Sequence, residues 1–290
     1  MTIKQALEMA KKENIDLIDS KTLLKYILKK DVIIDSDDIE ERELIQFTKN
    51  IEELKKGKPL QYITNVQSFY GENFFVNENV LIPQPDTEVL VEKAIEIINK
   101  NVDATLSNFD EECKNNEATI GNFESSKLKI LDLCTGSGAI AISIKKNTTN
   151  TEIYASDISE NALEVATKNA KKILKDENKI KFIQSDMFKN INEKFDMVVS
   201  NPPYIRTDEI KYLARDVQNE PTLALDGGKD GLDFYRIIRE NIDKYLNFNG
   251  YLLMEIGYDQ KDEVLELFEN SYCIKDYAGN DRVVIFQKND

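Results

Sequence analysis

Residues 128–141, LKILDLCTGSGAIA, decide the fold of this 290-residue chain. LKILDLC is a short apolar run, the length of a buried strand. It ends in T-G-S-G, where two glycines let the backbone turn sharply. SGAIAISIKK follows with the spacing of a helix. Strand, glycine turn and helix in that order open an α/β unit.

The same alternation runs downstream. EIYASD, KIKFIQSD, FDMVVSNPPY and YLLMEIG read as strands. ENALEVATKNAKKIL, GLDFYRIIRENIDKYL and DEVLELFEN read as helices between or after them. YCIKDY and RVVIFQK close the chain around the turn AGND. This predicts a doubly wound, seven-stranded, mostly parallel sheet with helices on both faces. The turn-linked final pair predicts an antiparallel last strand.

Upstream, residues 1–65 read as a small helical bundle, with apolar residues three and four apart. Asp19 or Ser20 is the expected cap of its second helix, and Asp37 or Asp38 of its third. Residues 66–85 carry aromatic and β-branched residues around Gly71 and predict a β-hairpin linker. In IPQPDTEVLV, the prolines predict an extended turn, with Asp86 or Thr87 capping a helix whose first turn holds Glu88. Residues 86–290 form the expected main domain. Within it, 100–127 is rich in Asn, Glu and Ser, lacks periodicity, and reads as a flexible solvated insertion.

Composition narrows the chemistry. Hydrophobic residues make up 41% of the chain, enough for a core, and no apolar run is long enough to cross a membrane. Nor does the start resemble a secretory signal, so a cytoplasmic protein is expected. Cys113, Cys134 and Cys273 are scattered, which suits reduced thiols rather than a disulfide framework or a metal site. The chain contains no histidine. Ser-His-Asp triads, imidazole proton shuttles and most zinc sites are thereby excluded, and no metal is expected. A net charge of −15 disfavours general nucleic-acid binding; it keeps a chain soluble and still allows docking to a basic protein.

Three strand tips point to an adenosine-bearing ligand. Gly136 and Gly138 let a ligand approach the backbone at a helix N-terminus. Asp157, ending IYASD, can accept both hydroxyl hydrogens of a ribose. Asp186, ending IQSD, can accept from an adenine amino group, with Met187 against the ring. Alternatively, Asp157 and Asp186 merely cap the helices that follow. NAD and S-adenosylmethionine both contain adenosine.

The fourth tip, SNPPYI at residues 200–205, separates the two. Asn201 offers a side-chain carbonyl, and Pro202 a backbone carbonyl with no competing N–H. Two acceptors can hold both hydrogens of a planar NH2 group. Pro203 stiffens the loop and Tyr204 can stack on a flat group. Such a clamp orients a poor nitrogen nucleophile for methyl transfer without an imidazole base.

Taken in order, LIPQPDTE, ILDLCTGSGAIAI, SNPPYI and NEPTLALDGGKDGLDFYR resemble the release-factor glutamine methyltransferases, over about residues 66–290. The resemblance implies a class I, Rossmann-like methyltransferase fold. It also implies methylation of the N5 amide of the glutamine in the Gly-Gly-Gln motif of class 1 release factors, in translation termination. S-adenosylmethionine would be consumed and S-adenosylhomocysteine released. By position, Cys134, Thr135, Gly136, Ser137 and Gly138 would line the methionine and ribose side, and Asp157 would hold the ribose. Asp186 and Met187 would border the adenine. Asn201, Pro202, Pro203 and Tyr204 would hold the glutamine, with Asn201 also bordering the cofactor. The helical domain would help dock the release factor, and the enzyme is expected to act as a monomer without nucleic acid or membrane. The chain has Gln84 and Gln218 where basic residues are common in the family, and Cys134 in place of a common glycine. The asparagine-proline motif is shared with adenine-N6 methyltransferases acting on DNA or RNA, which gives a competing expectation. A third is a non-catalytic adenosine-binding module, for which an amide clamp would be superfluous.

Overall fold

A computed structural model describes residues 1–100, 127–176 and 179–289. All but the end residues of the insertion expected at 100–127 lie outside the described residues.

Helix α1 (Ile3–Lys12) starts in a capping box: Gln5 N donates to Thr2 Oγ1, and Thr2 N donates to Gln5 Oε1. It buries Ile3, Ala6, Leu7 and Ala10, one stripe at helical spacing. Helix α2 (Leu17–Leu28) is capped by Asp16, whose Oδ1 accepts from Ile18 N at 2.6 Å. Helix α3 (Glu41–Lys55) begins at Glu40, paired with Glu43. Neither set of expected caps is used. Ser20 lies inside α2 and donates to Asp16 O, and the carbonyls of Asp35 and Asp37 receive Lys4 N and Ile3 N from α1. Helix α4 (Leu60–Thr64) completes this group, which shares a core around Leu23, Leu24 and Phe47.

Strands β1 (Gln67–Phe69) and β2 (Glu72–Phe74) form the hairpin. Its turn residues Tyr70 and Gly71 have φ of 47° and 75°. Positive φ at both central positions matches the twist of the flanking strands. Phe69 and Phe74 meet edge to face at 5.9 Å and enter the core of the main sheet. Helix α5 follows over residues 88–100.

The main sheet comprises β3 (Leu128–Leu133), β4 (Thr151–Asp157), β5 (Ile180–Gln184), β6 (Phe195–Ser200), β7 (Leu246–Glu255), β8 (Tyr272–Lys275) and β9 (Asp281–Gln287). Their order is β5-β4-β3-β6-β7-β9-β8. The first five run parallel, and β9 enters antiparallel between β7 and β8. One face packs on α5, α6 (Ala139–Asn147) and α7 (Glu160–Leu174). The other packs on α9 (Asp233–Tyr245) and α10 (Lys261–Leu267), after the short α8 (Thr222–Leu225). Burial on both faces explains why the strands read as near-continuous apolar runs. Among the described residues no helix is long and apolar enough to cross a membrane.

Candidate active site

Strand order reverses between β3 and β6, and ligands of open α/β sheets bind beyond the strand ends at such a point. A cavity of about 310 Å³ opens there. Cys134, Thr135, Gly136, Ser137, Asp157, Asp186, Met187, Asn201 and Pro203 line it. Gly138, Pro202 and Tyr204 are not among its lining residues.

At the tip of β3, the turn is held from below. Asp132 Oδ2 accepts from Thr135 Oγ1 at 2.6 Å and from Ala141 N at 3.1 Å. Full burial pushes the Asp132 carboxyl up to about 7, against the pull of those two donors. Cys134 has φ 63°, a left-handed conformation that a glycine would adopt without steric cost. The two glycines divide the work. A side chain at Gly136 would meet nothing within 4 Å, so this backbone is open to a ligand. One at Gly138 would meet Ile142 Cδ1 at 2.9 Å and Ala166 Cβ at 3.1 Å. Gly138 therefore lets α6 approach α7.

Asp157 ends β4 and braces the same turn. Its Oδ2 accepts from Gly136 N and its Oδ1 from Ser159 N, both at 2.9 Å. Burial raises its pKa, and the backbone donors oppose that. The cap of α7 is Ser159, whose Oγ accepts from Ala162 N, so Asp157 braces the turn before the helix rather than capping it. Each oxygen keeps further acceptor capacity toward the cavity. Past β5, Asp186 is half exposed and ion-paired with Lys189. Met187 is buried with φ 50°, its sulfur 3.8 Å from Cys134 Sγ.

At the tip of β6, Asn201 Nδ2 donates to Thr87 Oγ1 at 3.2 Å. No hydrogen bond among the described residues engages Asn201 Oδ1 or the Pro202 carbonyl. Tyr204 packs into the second face of the core, and its hydroxyl donates to Glu255 Oε1 at 3.4 Å. The rest of the loop is fixed: Gln260 Nε2 donates to Tyr204 O, and Gly227 N to Ile205 O. A side chain on Gly227 would strike Tyr204 Cα at 2.7 Å, and one on Gly231 would strike Tyr204 O at 2.4 Å. Gly227 and Gly231 thus let this segment lie against the NPPY backbone.

Sequence reasoning missed how much LIPQPDTE does. Ile82 N donates to Glu220 Oε2 at 2.8 Å, Asp86 pairs with Arg282 at 3.1 Å, and Tyr70 N donates to Glu88 Oε1 at 2.8 Å. Thr87, expected as a helix cap, is buried and receives Asn201 instead. Glu220 and Glu255 were also missed. Burial raises each carboxyl to about 7. An acid ending the apolar run YLLME was the available signal for Glu255. Gln84 Nε2 donates to Ile82 O, while Gln218 Nε2 donates to Lys211 O and Leu213 O. Both neutral residues therefore bond to the local backbone.

The methyltransferase small domain profile matches residues 114–220. A protein of Clostridium acetobutylicum named release factor glutamine methyltransferase is 41% identical over 280 residues, covering 92% of this chain and 90% of that one. One of the same name from Thermodesulfovibrio yellowstonii is 37% identical over 291 residues, covering 97% and 96%. A methyltransferase structure from Pyrococcus furiosus superposes with a TM-score of 0.50 at 17% identity, over 84% of this chain and 99% of that one. That likeness is one of fold.

Proposed function

The chain belongs to the release factor glutamine methyltransferases, and from that premise we propose how its cavity methylates the N5 amide of the Gly-Gly-Gln glutamine in class 1 release factors. Asn201 carries the reading. It stands at the β6 tip in the same cavity as the β3, β4 and β5 tips, its NH2 engaged by Thr87 and its carbonyl oxygen left for a target.

The residues present fit S-adenosylmethionine. The Cys134–Ser137 turn has open backbone at Gly136 for the methionine and ribose side. Asp157 would take the ribose hydroxyls, and Asp186 with Met187 would border the adenine. When bound, the cofactor supplies an activated methyl group. The chain supplies position. Asn201 Oδ1 and the Pro202 carbonyl accept the two hydrogens of the glutamine NH2, fixing the nitrogen and its lone pair. An amide nitrogen is a weak nucleophile because that lone pair is delocalised into its carbonyl. Acceptors on both hydrogens return electron density to it and stabilise positive charge as it develops. The nitrogen would take the methyl as the S–CH3 bond breaks, leaving S-adenosylhomocysteine, and the methylated nitrogen would then release one proton to water; alignment of this kind makes deprotonation before attack unnecessary, which suits a chain without histidine. Pro203 holds the loop and Tyr204 buttresses it from the core. The helical residues 1–65 serve to dock the release factor, and no metal takes part.

Mass spectrometry of a purified release factor, after incubation with the enzyme and S-adenosylmethionine, tests this reading. One added methyl on the loop glutamine is expected. A methyl found instead on adenine of added DNA or RNA would replace it with the adenine-N6 reading.

A further inference from the structure

Asn169 is a polar residue in an apolar place. It stands in α7 beside Ala166 and Ala170, and all three are fully buried. Burying an amide is costly unless each of its polar groups finds a partner. Here each does, and every partner lies outside α7. Oδ1 accepts from Phe75 N at 2.7 Å, and Nδ2 donates to Phe75 O and to Ser137 O, both at 2.9 Å. The orientation of the amide is forced, because a backbone N–H can only donate and a backbone carbonyl can only accept.

One side chain thus ties together two stretches far apart in the chain. Ser137 belongs to the turn after β3, which lines the cavity. Phe75 leaves the hairpin and leads into residues 76–82, a second wall of that cavity, lined by Glu78, Asn79, Val80 and Leu81. Val76, Val80 and Ile82 share an apolar cluster with Ala162 and Val165 of α7, so this wall stands beside the Asp157–Ser159 turn, at the ribose end. A second anchor comes from the helical residues 1–65. The Tyr62 hydroxyl of α4, 4% exposed, donates to Val80 O at 2.6 Å, and Asn65 Nδ2 donates to Val76 O at 3.0 Å.

We propose that Asn169 and Tyr62 are positioning residues of the cofactor site: Asn169 ties the start of the 76–82 wall to the Ser137 turn, and Tyr62 holds its middle, so that wall and turn keep the spacing S-adenosylmethionine requires. The helical residues thereby contribute to cofactor binding as well as to docking. This explains why a helix face of small apolar residues keeps a buried asparagine. The inference rests on the reading of the cavity as the S-adenosylmethionine site.

The test uses the full chain with Asn169→Ala, Tyr62→Phe and, as a control, Ile242→Ala. Ile242 is buried near the end of α9, four residues before β7 begins, and so at the edge of the sheet away from the strand tips. Calorimetry with S-adenosylmethionine alone should show Kd raised about 10- to 100-fold in Asn169→Ala, which strips three backbone groups of their partner. In Tyr62→Phe, which loses one hydrogen bond, Kd should rise about 3- to 10-fold. With cofactor saturating, kcat on release factor should stay within about twofold of wild type in both, because binding is lost equally from ground and transition states. Ile242→Ala should lower the melting temperature yet leave Kd within about twofold. Hydrogen exchange of the cofactor-free chain should be faster over residues 75–80 in both wall variants. A wild-type Kd in Asn169→Ala or Tyr62→Phe would overturn the proposal, as would a fall in kcat with Kd unchanged, or a control that weakens binding as much as Asn169→Ala. Should Asn169→Ala not fold, Tyr62→Phe decides: wild-type Kd and exchange overturn it. A wild type that binds no S-adenosylmethionine would defeat the reading of the cavity instead, and the exchange comparison would still judge the two anchors.

Discussion

The two halves of the cavity are built by different means. The side formed by the tips of β3 and β4 is assembled largely from close stretches of chain: Asp132 holds Thr135 and Ala141, and Asp157 holds Ser159 two residues on and Gly136 21 residues back. The side formed by the tip of β6 draws on residues far apart in the chain, with Asn201 on Thr87, Tyr204 on Glu255 and Arg282 on Asp86. Where a site is made of local turns, binding and local stability share the same groups. Where distant side chains converge, orientation can be lost while the fold survives.

The comparison can be broken experimentally, most forcefully at Asn201. Asn201→Ala should reduce kcat by about 100- to 1,000-fold, the scale of removing one stabilising contact in a transition state. Calorimetry should show cofactor affinity nearly unchanged, and wild-type turnover would defeat the division. Asp157→Ala should instead weaken cofactor binding about 10- to 100-fold, as expected for lost charge-assisted hydrogen bonds. It should also lower the melting temperature, because the Gly136 and Ser159 amides lose their acceptor.

The two turn glycines sharpen the contrast further. Gly138→Ala should cost about 1–3 kcal/mol of stability in denaturant unfolding, from overpacking against Ile142 and Ala166 on top of the strain of a side chain at φ 80°. Gly136→Ala meets no protein atom, so its stability cost should be the smaller one of a side chain at φ 52°, about 1 kcal/mol, with weaker cofactor binding in calorimetry besides.

The smallest expected effect is on pH dependence. Burial raises Glu220 from 4.5 to about 7. Over that window the folded chain holds a proton that the unfolded chain has released, so stability falls as pH rises. Asp132 and Glu255 act in the same sense. Glu220→Gln removes one contributor, and its melting temperature should decline less, by a few degrees, between about pH 5 and pH 8. Parallel curves for the two proteins would contradict the assignment.

Legibility in the sequence follows the same divide. The parallel strands could be read because burial on both faces leaves an unbroken apolar signature, as in IYA and MVV. Gly136, Asp157, Asp186 and Met187 could be placed because strand tips follow from the strands themselves. The cap of α3 could not, because contacts with α1 decide where residues 35–39 go, and that of α2 lies at Asp16, three residues before the expected Asp19. Thr87 read as a cap for want of any local sign that Asn201, 114 residues later, would claim it. Glu255 carried a sign in being an acid at the end of an apolar strand, but not the identity of what it faces.

Strand β9 follows β7 and β8 along the chain, yet it lies between them in the sheet. Until residues 281–287 arrive, β7 presents a bare edge and β8 has nothing to pair with, a state open to association with other chains. Arg282 travels on that strand and brings the cation that Asp86 and Asp276 await. A nascent chain stopped before Asp281 would therefore be sticky and inert. The sheet would close only once residues 281–287 are available to pair with both neighbours.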